Sequence, residues 1–174
     1  MLARTLWRTR MKPVQLWLPE SLKTICLIVF LLFGIGGCAT RAPYNYNASD
    51  YNKGQAVAQT ALSQVGKPYR FGGVTPKTGF DCSGLIYWSY KQHGLEVPRV
   101  AKEQMKSGQK VDNGKLRPGD IVAFRLGKNR YHTGLYIGRG KFVHSPSKGK
   151  KVRVEEMRSD YWKNRFVGVR RVLH

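Results

Sequence analysis

The hydrophobic period changes once along this chain, and that change limits the folds open to it. From Gln55 to Val65 apolar residues fall at positions 57, 58, 61, 62 and 65, which is helical spacing. Beyond Pro118 the period is two. Apolar runs at Ile121–Phe124, His132–Ile137, Lys141–His144, Lys151–Val154 and Arg165–Val172 are separated by glycine and polar turns. Helices first and strands afterwards predict an α+β domain, with N-terminal helices packed on a five- to six-stranded antiparallel sheet. Between the two regimes, residues 66–80 read as a glycine-rich loop that starts where Gly66-Lys-Pro68 stops the first helix. Asp81 fits the N-cap of a second helix running from Cys82 to about Gln92, and Gly94 suits its stop. A further short helix is expected from Val100 to about Gly108, and a single helical turn over Ser159–Lys163.

The first 37 residues do not belong to that pattern. Basic residues up to Lys12 precede an apolar run, Ile25–Phe33, that is too short to span a bilayer but has the length of a signal-peptide core. Met11 is a second candidate start. Gly34-Ile35-Gly36-Gly37 then leads into Cys38. Small residues before a cysteine are similar to the bacterial lipoprotein signal, in which cleavage precedes the cysteine and its thiol receives a lipid. The expected organisation is a lipoprotein signal peptide over 1–37, a polar tether over 38–53 and a folded domain over 54–174. Cys38 is the expected site of lipid attachment.

Processing of that kind leaves one thiol. Cys26 departs with the leader and Cys38 becomes a thioether, so Cys82 has no partner for an internal disulfide. Its place beside the Asp81 cap is chemically useful, because unpaired amides and the helix dipole favour negative charge there. The same amides can stabilise an oxyanion. A cysteine nucleophile needs a base, usually histidine. His93 lies on the same expected helix, roughly 16 Å along its axis from Cys82, and His174 is the last residue. His132 and His144 remain, on neighbouring expected strands. A two-residue loop at Arg139-Gly140 pairs His144 with Leu135 and puts the histidines on opposite faces. If they act together, an odd register is required, such as a bulge that pairs His144 with Tyr136.

Charge narrows the partners. There are 31 Lys+Arg against 10 Asp+Glu, a formal net charge of +21. Fourteen basic residues and three acidic ones lie between Arg125 and Arg171. Such a field attracts polyanions. The leader argues against nucleic acid and points to anionic membrane surfaces or carboxylate-rich cell wall.

Six segments in order resemble the NlpC-type cell-wall cysteine peptidases, a papain-like family. They are Gly66-Lys-Pro-Tyr69 with Gly72-Gly73, Phe80-Asp-Cys-Ser-Gly-Leu85, Val97-Pro-Arg99 leading to Gln104, Leu116-Arg-Pro-Gly-Asp-Ile-Val122, His132-Thr-Gly-Leu-Tyr-Ile-Gly138 and Phe142-Val-His-Ser145. The resemblance implies a papain-like fold and an endopeptidase acting on peptidoglycan, at a D-glutamate–diaminopimelate or D-alanine–diaminopimelate bond. It implies Cys82 as nucleophile, His132 as general base and His144 as the polar group that orients it. Tyr69 matches a tyrosine near the thiol that assists the oxyanion. Asp81 and Ser83 match positions that contact substrate. It calls for no cofactor and no metal. A lipid on Cys38 with Ala39 behind it would place the enzyme on the outer membrane, facing the periplasm. Two rival classes are a non-catalytic, peptidoglycan-binding envelope lipoprotein and a metallohydrolase using Cys82, His132 and His144 as ligands. The first leaves the thiol and both histidines unexplained, and no short ligand spacing supports the second.

Overall fold

The computed structural model describes residues 48–173. The expected leader, the Cys38 attachment site and His174 lie outside them. Helix α1 (Ala48–Leu62) is followed by a two-stranded ribbon, β1 (Val74–Thr75) and β2 (Gly79–Phe80), and by helix α2 (Cys82–Lys91). After the short helix α3 (Ala101–Gln104) come β3 (Gln109–Val111), β4 (Ile121–Gly127), β5 (Arg130–Gly138), β6 (Lys141–His144) and β7 (Arg153–Glu156). Helix α4 (Asp160–Lys163) and β8 (Phe166–Arg171) complete the chain. The six longer strands form one antiparallel sheet in the order β3-β8-β4-β5-β6-β7. The fold is therefore the α+β arrangement that the change of period predicts.

Each face of the sheet has its own core. On one face Ile121, Leu135 and Val143 pack with Val57 and Ala61 of α1 and Leu85, Ile86 and Tyr90 of α2. On the other, Val122, Phe124, Phe142 and Val169 close around Trp162 of α4. Alternate residues of β4 and of β6 divide between the two, as a pleated strand requires. Helix α1 lies close because Gly54 has no side chain. A Cβ there would run into the Pro118 carbonyl oxygen.

The turn before β4 is stapled by charge. Asp120, 2% exposed, accepts from the Arg117 backbone N–H at 2.7 Å and from Arg171 at 2.8 and 2.7 Å. It thereby ties the entry of β4 to the end of β8. Tyr90 reaches the same turn from α2, donating its hydroxyl to the Gly119 carbonyl at 2.6 Å.

Several boundaries differ from the sequence reading. Helix α1 starts at Ala48, so residues 48–53, read as tether, are helical. The short helix ends at Gln104 rather than Gly108, and the next residues turn into the edge strand β3, which the period did not reveal. Strand β7 begins at Arg153, because Lys151 makes an isolated bridge to Pro68 instead. The glycine-rich loop contains the β1–β2 ribbon, whose strands are too short to show a period.

The hairpin between β5 and β6 settles the histidine faces. Gly138 pairs with Lys141 across a turn whose residues 138, 139 and 140 all have positive φ. The register then shifts so that Tyr136 faces Phe142 and Leu135 faces Val143. Ile137 is the extra residue. One step further this sets His144 opposite Gly134, so His132 and His144 share a face. The bulge lies on β5, not on β6 as pairing with Tyr136 would require. The parity demand is met with a different partner.

Candidate active site

Cys82 opens α2, and the residues on either side of it fix the helix start. Asp81 is extended (φ −88°, ψ 178°) and its Oδ1 accepts from the Gly84 backbone N–H at 2.7 Å, the N-cap geometry expected of it. The same carboxylate accepts from Arg99 Nη1 at 3.0 Å and Nη2 at 2.8 Å, from the Gly72 N–H at 2.9 Å and from Ser83 Oγ at 3.3 Å. Asp81 is thus a hub that binds the glycine-rich loop, the helix start and Arg99 together. Ser83 is 5% exposed and also accepts from Arg99 Nη1 at 3.1 Å. Both residues named from sequence as substrate contacts spend their hydrogen bonds on holding α2 in place.

A second anchor comes from Gln104, which is fully buried. Its amide donates to the Ser83 and Pro98 carbonyls at 3.0 and 2.8 Å, and its oxygen accepts from Thr133 Oγ1 at 2.9 Å. Helix α2 is thereby fastened to β5. Pairing between β5 and β6 runs only from Leu135 to Gly138. On that side the backbone before Leu135 is open, and the Thr133 N–H is directed at the Cys82 sulfur.

His132 is the residue before Thr133 on β5, and His144 ends β6. His132 Nε2 and His144 Nδ1 are 2.8 Å apart, with both side chains buried. Trp162 stacks on His132 at a centroid distance of 5.4 Å and 26° between planes, and meets His144 edge-on at 5.0 Å and 85°. His144 Nε2 faces Glu155 Oε2 at 3.6 Å. Tyr69 is positioned by its backbone N–H bond to the Lys150 carbonyl and by a bridge to Phe80. Its phenol stands close enough to Cys82 and Asp81 for both to push its pKa up, after burial, which is the largest cause. The four histidines separate as expected in one respect. His93 sits at the far end of α2, bonded to Thr60 at 2.8 Å.

Electrostatics reverse one expectation. Burial pushes the Cys82 thiol up, and the Asp81 carboxylate adds to this. The backbone N–H groups of Thr133, Ser83 and Cys82 itself oppose the shift without cancelling it. Both histidines move the other way. Burial lowers each to about 3, helped by the neighbouring His144 for His132 and by Arg153 for His144. Glu155 pulls His132 back up in part. Burial therefore favours the neutral form of both the thiol and the imidazole. The helix start favours the anion once it forms, yet burial holds the proton on sulfur until then.

Sequence reading missed four residues here. Arg99 and Gln104 stood inside a motif but carried no assigned role. Glu155 and Trp162 had no signal beyond a short polar strand and one helical turn.

Comparison with known proteins identifies the family. The chain is 42% identical over 127 residues to the murein DD-endopeptidase MepH of Escherichia coli, covering 70% of this chain and 47% of that protein. It is 46% identical over 110 residues to the murein DD-endopeptidase MepS/murein LD-carboxypeptidase of the same organism, covering 62% and 57%. The chain thus spans about half the length of these curated relatives. Among solved structures, an NlpC/P60 family protein from Bacillus cereus superposes with a TM-score of 0.65 at 32% identity, covering 70% of this chain and 40% of that one. The model of the NlpC/P60 family matches residues 66–171, which include the capped thiol and the paired imidazoles. This chain belongs to the NlpC/P60 family.

Proposed function

We propose that this chain is a peptidoglycan endopeptidase in which Cys82 is the nucleophile, His132 the general base and His144 the group that orients it. The observation that carries the proposal is the one free thiol among the described residues, at the start of a capped helix and beside the backbone N–H of Thr133, the neighbour of His132, whose imidazole lies 2.8 Å from that of His144. In the first step His132 accepts the thiol proton as Cys82 attacks the scissile carbonyl carbon. The tetrahedral oxygen takes hydrogen bonds from the backbone N–H at the start of α2 and from the Tyr69 hydroxyl. His132 then returns its proton to the leaving amine, and an acyl-enzyme forms. Water, deprotonated by His132, completes the hydrolysis. No step needs a cofactor.

Both relatives from Escherichia coli are named murein DD-endopeptidases, which favours the D-alanine–diaminopimelate crosslink over the D-glutamate–diaminopimelate bond. The excess of 21 positive charges suits an anionic polymer substrate. Lipid attached at Cys38 would hold the enzyme in the cell envelope, at the periplasmic face of the outer membrane, within reach of that polymer. Digestion of purified sacculi followed by mass analysis of the fragments tests the reaction and the bond together. After the glycan is cut with a muramidase, crosslinked muropeptides are expected to have become monomers with the unaltered protein and to remain crosslinked with Cys82→Ala. Cleavage that survives Cys82→Ala would refute the thiol mechanism, and binding without cleavage would favour the non-catalytic lipoprotein. Loss of membrane association in Cys38→Ala is the corresponding test of the anchor.

A further inference from the structure

The row of imidazoles ends at a carboxylate. His144 Nε2 is buried and has no hydrogen-bond partner within bonding range. The group it faces is Glu155 Oε2, 3.6 Å away. Glu155 sits on β7 opposite Phe142, two residues from Arg153, which pairs with His144. All four therefore share one face of the sheet. The carboxylate is gripped from two sides. Trp162 Nε1 donates to Oε2, and the Arg153 guanidinium pairs with Oε1. Trp162, only 4% exposed, is the same ring that stacks on His132.

We propose that Glu155 is a positioning residue that completes a Cys82–His132–His144–Glu155 relay by fixing which nitrogen of each imidazole carries the proton. The inference rests on the reading of His132 as the base for Cys82. A base must present a bare nitrogen to the thiol. The other nitrogen, Nε2, lies against His144 Nδ1 at 2.8 Å, and one of the two must carry the hydrogen. If His132 Nε2 holds it, His132 Nδ1 is bare and ready, and His144 must carry its own proton on Nε2. That N–H then points at a carboxylate, which is favourable. In the alternative, His144 donates from Nδ1, His132 is protonated on Nδ1 and useless as a base, and a bare Nε2 lone pair faces the anion. The carboxylate selects the first arrangement. At 3.6 Å the contact is electrostatic rather than a hydrogen bond. It strengthens as His132 takes the thiol proton and positive charge spreads over the pair.

Sequence spacing would not assign this role, because it depends on the β6–β7 pairing and on a tryptophan from α4. Nitrogen-15 spectra of the protein labelled at histidine read the protonated nitrogens directly, without substrate. The unaltered protein is expected to carry the protons of both His132 and His144 on Nε2. Glu155→Ala should mix the tautomers. Glu155→Gln keeps an acceptor for Trp162, so it folds even if the alanine variant does not, and it should lower kcat on soluble crosslinked peptide by about 10- to 100-fold with little change in KM. Glu156→Gln removes the same charge from the exposed neighbour and should leave spectra and turnover unaltered. A proton on Nδ1 of His144 in the unaltered protein, or unaltered tautomers and kcat in Glu155→Gln, overturns the assignment. If the unaltered protein cleaves no peptidoglycan, the proposed function fails by itself, and the spectra still decide the role of Glu155.

Discussion

Asp81 is the residue on which the start of α2 depends, and its contribution can be divided by two substitutions. Its carboxylate accepts five hydrogen bonds, from Gly84, Ser83, Gly72 and twice from Arg99. Replacement by alanine removes an N-cap, which costs about 1 kcal/mol. It leaves the Gly72 N–H without its acceptor, for about 1 kcal/mol more. It also strips Arg99 of its counter-charge. The side chains of Asp81 and Arg99 are 13% and 32% exposed, so this pair lies between a surface and a buried ion pair. A value of about 2 kcal/mol sits between those limits. The total for Asp81→Ala is about 4 kcal/mol. Asparagine caps as well as aspartate and retains one acceptor oxygen, so Asp81→Asn should lose mainly the charged pair, about 2 kcal/mol. With a urea slope of about 2 kcal/mol per molar, the midpoints should fall by about 2 M for alanine and 1 M for asparagine. Equal shifts for the two variants would refute the division into cap and charge. A loss below about 1 kcal/mol for alanine would refute the hub itself. The same substitution has a chemical readout. Asp81 helps to push the Cys82 thiol up, so Asp81→Asn should move the pH profile of Cys82 alkylation by iodoacetamide to lower pH. A move to higher pH would contradict the assigned cause.

Acid should destabilise the fold through the imidazole pair. Folded His132 and His144 bind protons at about 3 against 6.5 for the ordinary group, so between those values the unfolded chain binds protons that the folded one refuses. Stability is full above pH 6.5 and falls as pH drops toward 3, by up to about 1.4 kcal/mol per pH unit for each histidine. Urea midpoints at successive pH values measure the slope, and His144→Gln should roughly halve it. Gly84→Ala places a Cβ against the Gly73 carbonyl oxygen and within 2.9 Å of Asp81 Oδ1. It should cost about 2 kcal/mol in urea unfolding and slow peptidoglycan cleavage by displacing Cys82. Tyr90→Phe leaves the buried Gly119 carbonyl without its 2.6 Å partner. A loss of about 1–3 kcal/mol is expected, with kcat unaltered, because the turn lies at the other end of α2.

Legibility followed the range of the signal. The Asp81 cap and the thiol beside it are adjacent in the chain, the stop at Gly94 is one short helix away, and the structure has them where the sequence puts them. Alternation located β4, β5 and β6, because each has one face in each core, and β8, whose Phe166 and Val169 turn to the second core. It failed at β3, which has three residues and one buried position, and at β1 and β2, which have two residues each. The ends of β7 moved because Lys151 is recruited by the loop at Pro68, an interaction more than eighty positions away in the chain. Tyr136 pairs with Phe142 rather than with His144, yet the histidines still share a face. Parity alone decides which face a side chain takes, and the bulge at Ile137 satisfies parity from the other strand.

The half of the site whose arrangement sequence did not reveal is the half made by strand order. Cys82 and Asp81 are neighbours in the chain, but His132, His144, Glu155 and Trp162 come from three strands and a helix. Only β5-β6-β7 adjacency, with α4 folded back over that face, brings them together. The division has an energetic side. The local half is satisfied polar chemistry, since each oxygen of Asp81 has its donors. The non-local half contains buried imidazoles held neutral, packed in aromatic rings, with one nitrogen short of a partner. Burial of that kind costs stability. It also raises the strength of any charge interaction that appears when a proton arrives on His132. A neutral resting pair beside a carboxylate is therefore consistent with a site that separates charge during the reaction and not before it.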